Sequence, residues 1–184
     1  MTRHRAFTLL EVMAVVTLLA LLAGATAWSL ADEARKSSRA KAVADVAHAD
    51  RMARLGAQRC GQPCRLQFDL IHQEVRRLTG PADQAQPAHS LALPRNCRID
   101  RIVTPSSGPG GERADAVAIA FSSGGRSDSY AVRLAFEDGP AGNDADGLGP
   151  NVWILFAELT GQTTLVSNED ELDKLFAAER PDAS

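Results

Sequence analysis

The sequence predicts an α+β protein: a long N-terminal helix packed on an antiparallel β-sheet domain. Three observations carry this. The apolar run from Phe7 to Ala27 continues, without proline, into an alanine- and arginine-rich segment reaching Gln58. After Cys60 the apolar period changes from helical to two, as in "CRLQFDL". Short apolar segments then alternate with stretches rich in glycine and proline, and no second long helix follows. The 184 residues suffice for about one ordinary domain. A net charge of -3 excludes a global basic bias toward nucleic acid.

The first element is the helix, and its apolar half decides the compartment. As a helix, Phe7 to Ala27 rises about 31 Å, close to the thickness of a bilayer core. Arg3, His4 and Arg5 precede it with no acid, so the leader stays cytoplasmic and the bulk of the chain is exported. One charge, Glu11, interrupts the run. A carboxylate at the bilayer centre costs on the order of 2.5–3.5 kcal/mol on insertion scales, so the position needs a reason.

Three readings compete for this segment. A secretory signal peptide fits the basic start and the A-x-A match at Ala25-Thr26-Ala27, but the run exceeds the usual h-region and contains Glu11. A plain anchor fits the length and leaves the acid unexplained. Cleavage between Ala6 and Phe7 explains it: the new α-amino group then lies four residues before Glu11. In a filament of side-by-side helices, Glu11 of one chain can meet the positive N-terminus of a neighbour. An acid in the first turn is also favoured by the helix dipole.

At this point the residues resemble a known family. "RAFTLLEVMAVVTLLALLAGAT" is similar to the class III signal of type IV pilins and type II secretion pseudopilins. The resemblance implies removal of the leader by a prepilin peptidase between Ala6 and Phe7, N-methylation of Phe7, and a role for Glu11 in assembly. Ala6 stands where the family usually has glycine.

Beyond the apolar half, Ala42, Val46, Ala49 and Ala53 recur at helical spacing on one face, widened by Val43 and Ala47. Lys36, Arg39, Asp45 and Arg51 are expected to face water, and Asp32 is spaced to pair with Arg35 or Lys36. Gly56 or Gly61 is the expected stop, and Gly24 a flexible point. Four parts follow: a leader over 1–6, a transmembrane and assembly helix over 7–29, an amphipathic periplasmic helix over 30–58, and a β-rich domain over 59–184.

In that domain "CRLQFDL" and "EVRRL" read as a hairpin, and "TGPADQAQPAHS" as a loop. "CRIDRIVT" is a strand and "PSSGPGGERAD" a second loop. "AVAIAF" and "SYAVRLAF" flank the glycine-rich turn "SSGGRSD". "EDGPAGNDADGLGP" is a third loop, "NVWILFAEL" and "TTLV" a hairpin around Gly161, and "SNEDELDKLFAAERPDAS" a short acidic helix with a tail. "MARLGAQRCGQPCRLQFD", "ALPRNCRI" and "AIAFSSGGRSDSYAVRL" resemble the H-type minor pseudopilins and related FimT-like minor pilins.

No catalytic set stands out, and neither an enzymatic activity nor a cofactor is expected. His4, His48, His72 and His89 are scattered. "GPGG" at 108–111 lacks the lysine and helix start of a P-loop. In the loop 137–150, Asp144, Asp146 and Gly147 match three positions of a calcium loop, but the twelfth position is Trp153, so a plain acidic loop is expected. No metal site is expected. In an oxidising periplasm two of the three cysteines should pair: Cys60 with Cys64 across the helix end, or Cys64 with Cys97 if their strands are adjacent.

The resemblance implies a minor pseudopilin of a type II secretion system near the pseudopilus tip, in the bacterial inner membrane with its globular domain in the periplasm. Its implied partners are other minor pseudopilins, the major pseudopilin, the inner-membrane assembly platform and the prepilin peptidase. The alternative is a type IV pilus minor pilin in pilus assembly or DNA uptake, for which Arg76, Arg77, Arg95, Arg98 and Arg101 would have to form one basic face. The acidic C-terminal segment argues against nucleic acid. An exported enzyme is a third class.

Overall fold

A computed structural model describes residues 9–80, 86–105, 115–137, 151–158 and 160–178. A single helix, α1 (Leu9–Cys60), precedes eight strands and a short closing helix. The strands are β1 (Cys64–Asp69), β2 (Glu74–Thr79), β3 (Gln86–Ala92), β4 (Cys97–Val103), β5 (Ala116–Phe121), β6 (Tyr130–Phe136), β7 (Asn151–Phe156) and β8 (Thr163–Val166). The closing helix is α2 (Glu169–Ala178). The chain divides into compact units over 1–38 and 39–184.

Helix α1 ends where Gly61 takes φ 61°, a left-handed conformation open to glycine at low cost. Gly56 lies inside the helix, so Gly61 is the stop. In the second unit Ala42, Val46, Ala53 and Ala57 are buried, with Val43, Ala47 and Ala49 packed beside them. This is the stripe the sequence spacing predicts, extended by one turn.

The expected antiparallel sheet is two four-stranded sheets, in orders β3-β2-β1-β5 and β4-β6-β7-β8. The β1–β2 hairpin forms as predicted, Leu66 facing Arg77 and Phe68 facing Val75. β5 and β6 flank the glycine turn but do not pair: β5 joins β1, and β6 lies between β4 and β7. The turn is therefore a crossing between sheets.

One expected loop is partly strand. Residues 86–92 pair with β2, with a register shift between Arg77 and Leu78 beside Pro87. β3 is an edge strand, where a residue lacking an N–H is tolerated. Its exposed polar residues hide the strand from a periodicity argument.

The main core joins the inner faces of both sheets to α1, with Tyr130, Phe68, Phe121 and Phe156 its largest buried side chains. A second cluster of Val103, Ala131, Trp153, Leu155, Val166 and Leu172 lies on the other face of the second sheet, where Leu175 and Phe176 of α2 pack against it. Covered on both faces, β6 is buried at every position but Arg133. β1, by contrast, alternates buried and half-buried.

One side chain stitches the edge of the second sheet to the β1–β2 turn of the first. Gln73, at φ 55° in the β1–β2 turn, accepts a 2.6 Å bond from the Ile99 N–H through Oε1 and donates to the Ile99 carbonyl at 3.3 Å. The side-chain amide thus mimics a neighbouring strand along β4, an edge strand of the second sheet.

Candidate functional site

The first unit is built from residues that elsewhere would be core. Leu9, Leu10, Leu21 and Leu30 are each more than two-thirds exposed, and Trp28 is 80% exposed. The apolar window has a mean hydropathy of 2.2 and none of it is buried, so this helix is long and apolar enough to cross a membrane. Two of its hydroxyls are satisfied internally: Thr17 donates to the Met13 and Ala14 carbonyls, and Thr26 to those of Leu22 and Ala23, at 2.9–3.0 Å. That suits a helix placed where water cannot serve. Glu11 stands in the first turn of this helix. Ala6 and Phe7 lie outside the described residues. Past the apolar stretch, Lys36 pairs with Asp32 at 3.2 Å, the predicted i,i+4 contact.

In the second unit the structure shows a buried polar lock that sequence reasoning missed. Asp50 and Arg54, one turn apart on α1, form a 2.8 Å ion pair with side chains 2% and 10% exposed. Arg54 also donates to Ser127 Oγ at 2.9 Å and to the carbonyls of Glu158 at 3.0 Å and Ala157 at 3.3 Å. Its guanidinium carbon lies 5.2 Å from the Phe121 ring centroid. The second oxygen of Asp50 accepts from the Tyr130 hydroxyl at 2.8 Å. Tyr130 stacks on Phe156 at 4.6 Å, and burial, reinforced by Asp50, pushes its hydroxyl well above its usual pKa. One helical arginine thus holds the 122–129 crossing and the β7–β8 turn together. The i,i+4 Asp–Arg spacing on the same flank as Ala53 and Ala57 was the available signal.

Arg39 corrects an expectation. It is buried, not solvated, with its guanidinium 5.6 Å from the Phe136 ring centroid. A long cationic stem can cover apolar surface, and an aromatic face attracts the charge.

All three cysteines are thiols in this structure, Cys60 exposed and Cys64 and Cys97 buried. Burial raises the Cys64 thiol, with Arg77 opposing, and pushes Cys97 up to about 12. Cys64 is on β1 and Cys97 on β4, strands of different sheets. The adjacent-strand arrangement that a Cys64–Cys97 bridge was expected to need is therefore not met. His48 and His89 line one cleft between α1 and the first sheet, while His72 meets Asp69 in the β1–β2 turn, where the His72 backbone N–H and ring hold that carboxyl low. Among the described residues no group of three or more His, Cys, Asp or Glu could hold a metal ion. Residues 138–150, with Asp144, Asp146 and Gly147, lie outside the described residues.

The five arginines weighed for nucleic acid fall on two sheets and the segment before β4. Arg76 pairs with Glu74 at 2.8 Å, Arg77 donates to the Met52 carbonyl, and Arg101 pairs with Glu169 at 2.9 Å. Three of the five are thus engaged with groups of this chain, and the set is divided between the two sheets.

Residues 1–27 match the prokaryotic N-terminal methylation motif. The match falls on the segment whose residues resemble the pilin signal and includes Ala6, Phe7 and Glu11. Among solved structures, the chain is similar to two structures of the minor pseudopilin EpsH from the type II secretion system of Vibrio cholerae. One is 15% identical, over 67% of this chain and 92% of that one, with TM-score 0.46. The other is 12% identical, over 74% and 97%, with TM-score 0.47. The type IV minor pilin FimU of Pseudomonas aeruginosa is 11% identical, over 71% and 88%, with TM-score 0.48. No curated protein matches the sequence.

Proposed function

We propose that this chain is a minor pseudopilin of a type II secretion system, a structural subunit of the pseudopilus tip that supports protein export. The observation that carries the reading is the methylation motif, set on a wholly exposed apolar helix with Glu11 as its one charge up to Ala27. On this reading the chain is a single-pass inner-membrane protein with its globular domain in the periplasm. Prepilin peptidase cuts between Ala6 and Phe7, Phe7 is N-methylated, and Glu11 directs assembly with the other pseudopilins and the inner-membrane platform. The role is structural: Asp50, Arg54 and Tyr130 hold a strand and two turns to the helix.

A type IV pilus minor pilin carries the same kind of N-terminal signal and is the second reading. The dispersal of its candidate arginines disfavours a role in DNA uptake. Intact mass and N-terminal sequencing of protein from the native membrane test the shared part: the chain should begin at methylated Phe7, and a chain beginning at Trp28 would establish a signal peptide instead. Deletion of the gene then separates the systems. Loss of exported enzymes with normal pilus function supports the secretion reading, and the converse supports the pilus reading.

A further inference from the structure

The two sheets leave four edge strands, β3 and β5 in the first and β4 and β8 in the second. An open edge offers a row of unpaired N–H and C=O groups to any extended chain, and most folds blunt it. Three of these four are blunted. β3 carries Pro87 and a register shift against β2. β4 is charged at Arg98, Asp100 and Arg101, and the Gln73 amide occupies the N–H and carbonyl of Ile99. β8 has only four residues. β5, Ala116–Phe121, has no charge, no proline, no glycine and an unshifted register against β1.

The ladder fixes which groups of β5 are free. The Leu70 N–H donates to the Asp115 carbonyl at 2.9 Å, one step beyond the Asp69–Ala116 pair. Hydrogen-bonded and non-hydrogen-bonded pairs alternate along an antiparallel ladder. Phe68–Val117, Leu66–Ile119 and Cys64–Phe121 are therefore the bonded pairs. The N–H and carbonyl groups of Ala116, Ala118 and Ala120 point away from β1, and among the described residues no strand receives them. A groove of about 340 Å³ lies along this edge, with residues 128–130 as its far wall. The wall comes from the 122–129 crossing. The Ser122 N–H bonds the Arg126 carbonyl at 2.8 Å, and past that bond the two arms part, one into each sheet. Val117 and Ile119 are apolar lining, and Asp128 is its one charge, exposed and in no ion pair among the described residues.

We propose that the β5 edge is a docking site for an extended segment of another protein, which adds a fifth strand to the first sheet. The free groups recur at every second residue over Ala116–Ala120, about 13 Å, a spacing that a strand matches group for group. Side chains on one face of the guest pack against Val117 and Ile119. A lysine or arginine in the guest answers Asp128. The inference is independent of the filament reading, because it rests on the second unit alone.

The test uses the full chain in detergent micelles, with the backbone amide signals of Ala116, Ala118 and Ala120 followed by NMR. The probe is the hexapeptide Thr-Val-Lys-Val-Thr-Val, acetylated and amidated at its ends. Saturable shifts and slowed amide exchange at the three alanines are expected. Two further peptides are N-methylated along one backbone edge or the other. One should bind as the parent does, and the other should lose about tenfold or more. Asp128→Asn should weaken the lysine peptide about twofold to fivefold and leave a glutamine version unaffected. Ala118→Pro removes an outward N–H without touching the β1 ladder and should abolish binding, whereas Ala118→Val should keep it. If Ala118→Pro fails to fold, the methylated pair still reads the edge. Equal binding of the two methylated peptides, shifts that spare the three alanines, or no saturable shift up to about 5 mM would overturn the proposal. So would a dimer of the chain that Ala118→Pro disperses, because a second copy would then hold the edge.

Discussion

The Tyr130 hydroxyl donates a 2.8 Å hydrogen bond to Asp50 Oδ1, joining the start of β6 to the middle of α1 across 80 positions of sequence. Asp50 spends its other oxygen on Arg54, so one buried carboxylate ties strand, helix and two turns into a single unit. Breaking a buried pair is costly because the remaining partner keeps its desolvation penalty. Asp50→Ala should therefore destabilise the second unit by about 3–5 kcal/mol. Tyr130→Phe keeps the ring stacking and removes one bond, for a loss of about 1–3 kcal/mol. Urea denaturation with unchanged slope checks both; equal, small losses would show that the network contributes little.

The same lock constrains a glycine. Gly161 has φ 61°, and a Cβ there would lie 2.8 Å from Arg54 Nε and 2.9 Å from its Cδ. Gly61 has the same φ and nothing within 4 Å of an added Cβ. Gly61→Ala should then cost only the left-handed strain, about 1 kcal/mol, whereas Gly161→Ala should cost more by displacing Arg54. Thermal unfolding of the two variants side by side measures the difference.

Alkaline pH should unfold the second unit, with a sign fixed by two buried acids. Burial raises the Cys97 thiol from 9.0 to about 12, and burial with Asp50 raises Tyr130 well above 10.0. Each group holds its proton more tightly when folded. Its contribution is complete below the unfolded pKa and is lost as pH rises through the folded one. Stability should fall from about pH 9 through 12 for Cys97 and from about 10 upward for Tyr130. Cys97→Val should flatten the decline between pH 9 and 12 relative to the parent. An unchanged slope in that window would show that Cys97 titrates normally.

Much of this architecture is legible in the residues. The alternation of Leu66 and Phe68, a glycine stop at Gly56 or Gly61 and the Ala42-Val46-Ala53 stripe each follow from local physics, because periodicity and φ requirements are properties of a segment alone. Pairing is not. Nothing in "AVAIAF" says that it joins β1 rather than β6, and both sheets satisfy the same alternation. β3 was hidden because an edge strand needs neither apolar alternation nor every N–H. Arg39, Asp50 and Arg54 were hidden because a charged residue on a helix defaults to solvent, and only the aromatic rings and carbonyls of distant strands make burial affordable. Glu11 stands out in the sequence for the opposite reason: it is the one charge in the apolar run from Phe7 to Ala27.

Glu11 carries the functional prediction. It is one acid in a helix whose neighbours Leu9, Leu10 and Met13 are largely exposed and apolar. Glu11→Ala should leave insertion intact, since alanine is easier to place in lipid than a carboxylate. Cleavage after Ala6 should also persist, because the leader and the cut site are unchanged. If the chain is the proposed minor pseudopilin, incorporation with partner subunits should fall, and secretion with it. Glu11→Gln keeps a hydrogen bond but loses the charge, and should be intermediate or equally poor. Glu33, acidic but beyond the apolar run, serves as the control, and its replacement by alanine should do little. Cross-linking or co-purification from native membranes reads assembly, and mass analysis of the same sample reads cleavage. Normal assembly of Glu11→Ala would mean that the carboxylate has no energetic part in filament formation by this subunit. A fall in cleavage without insertion loss would place its role at the peptidase instead.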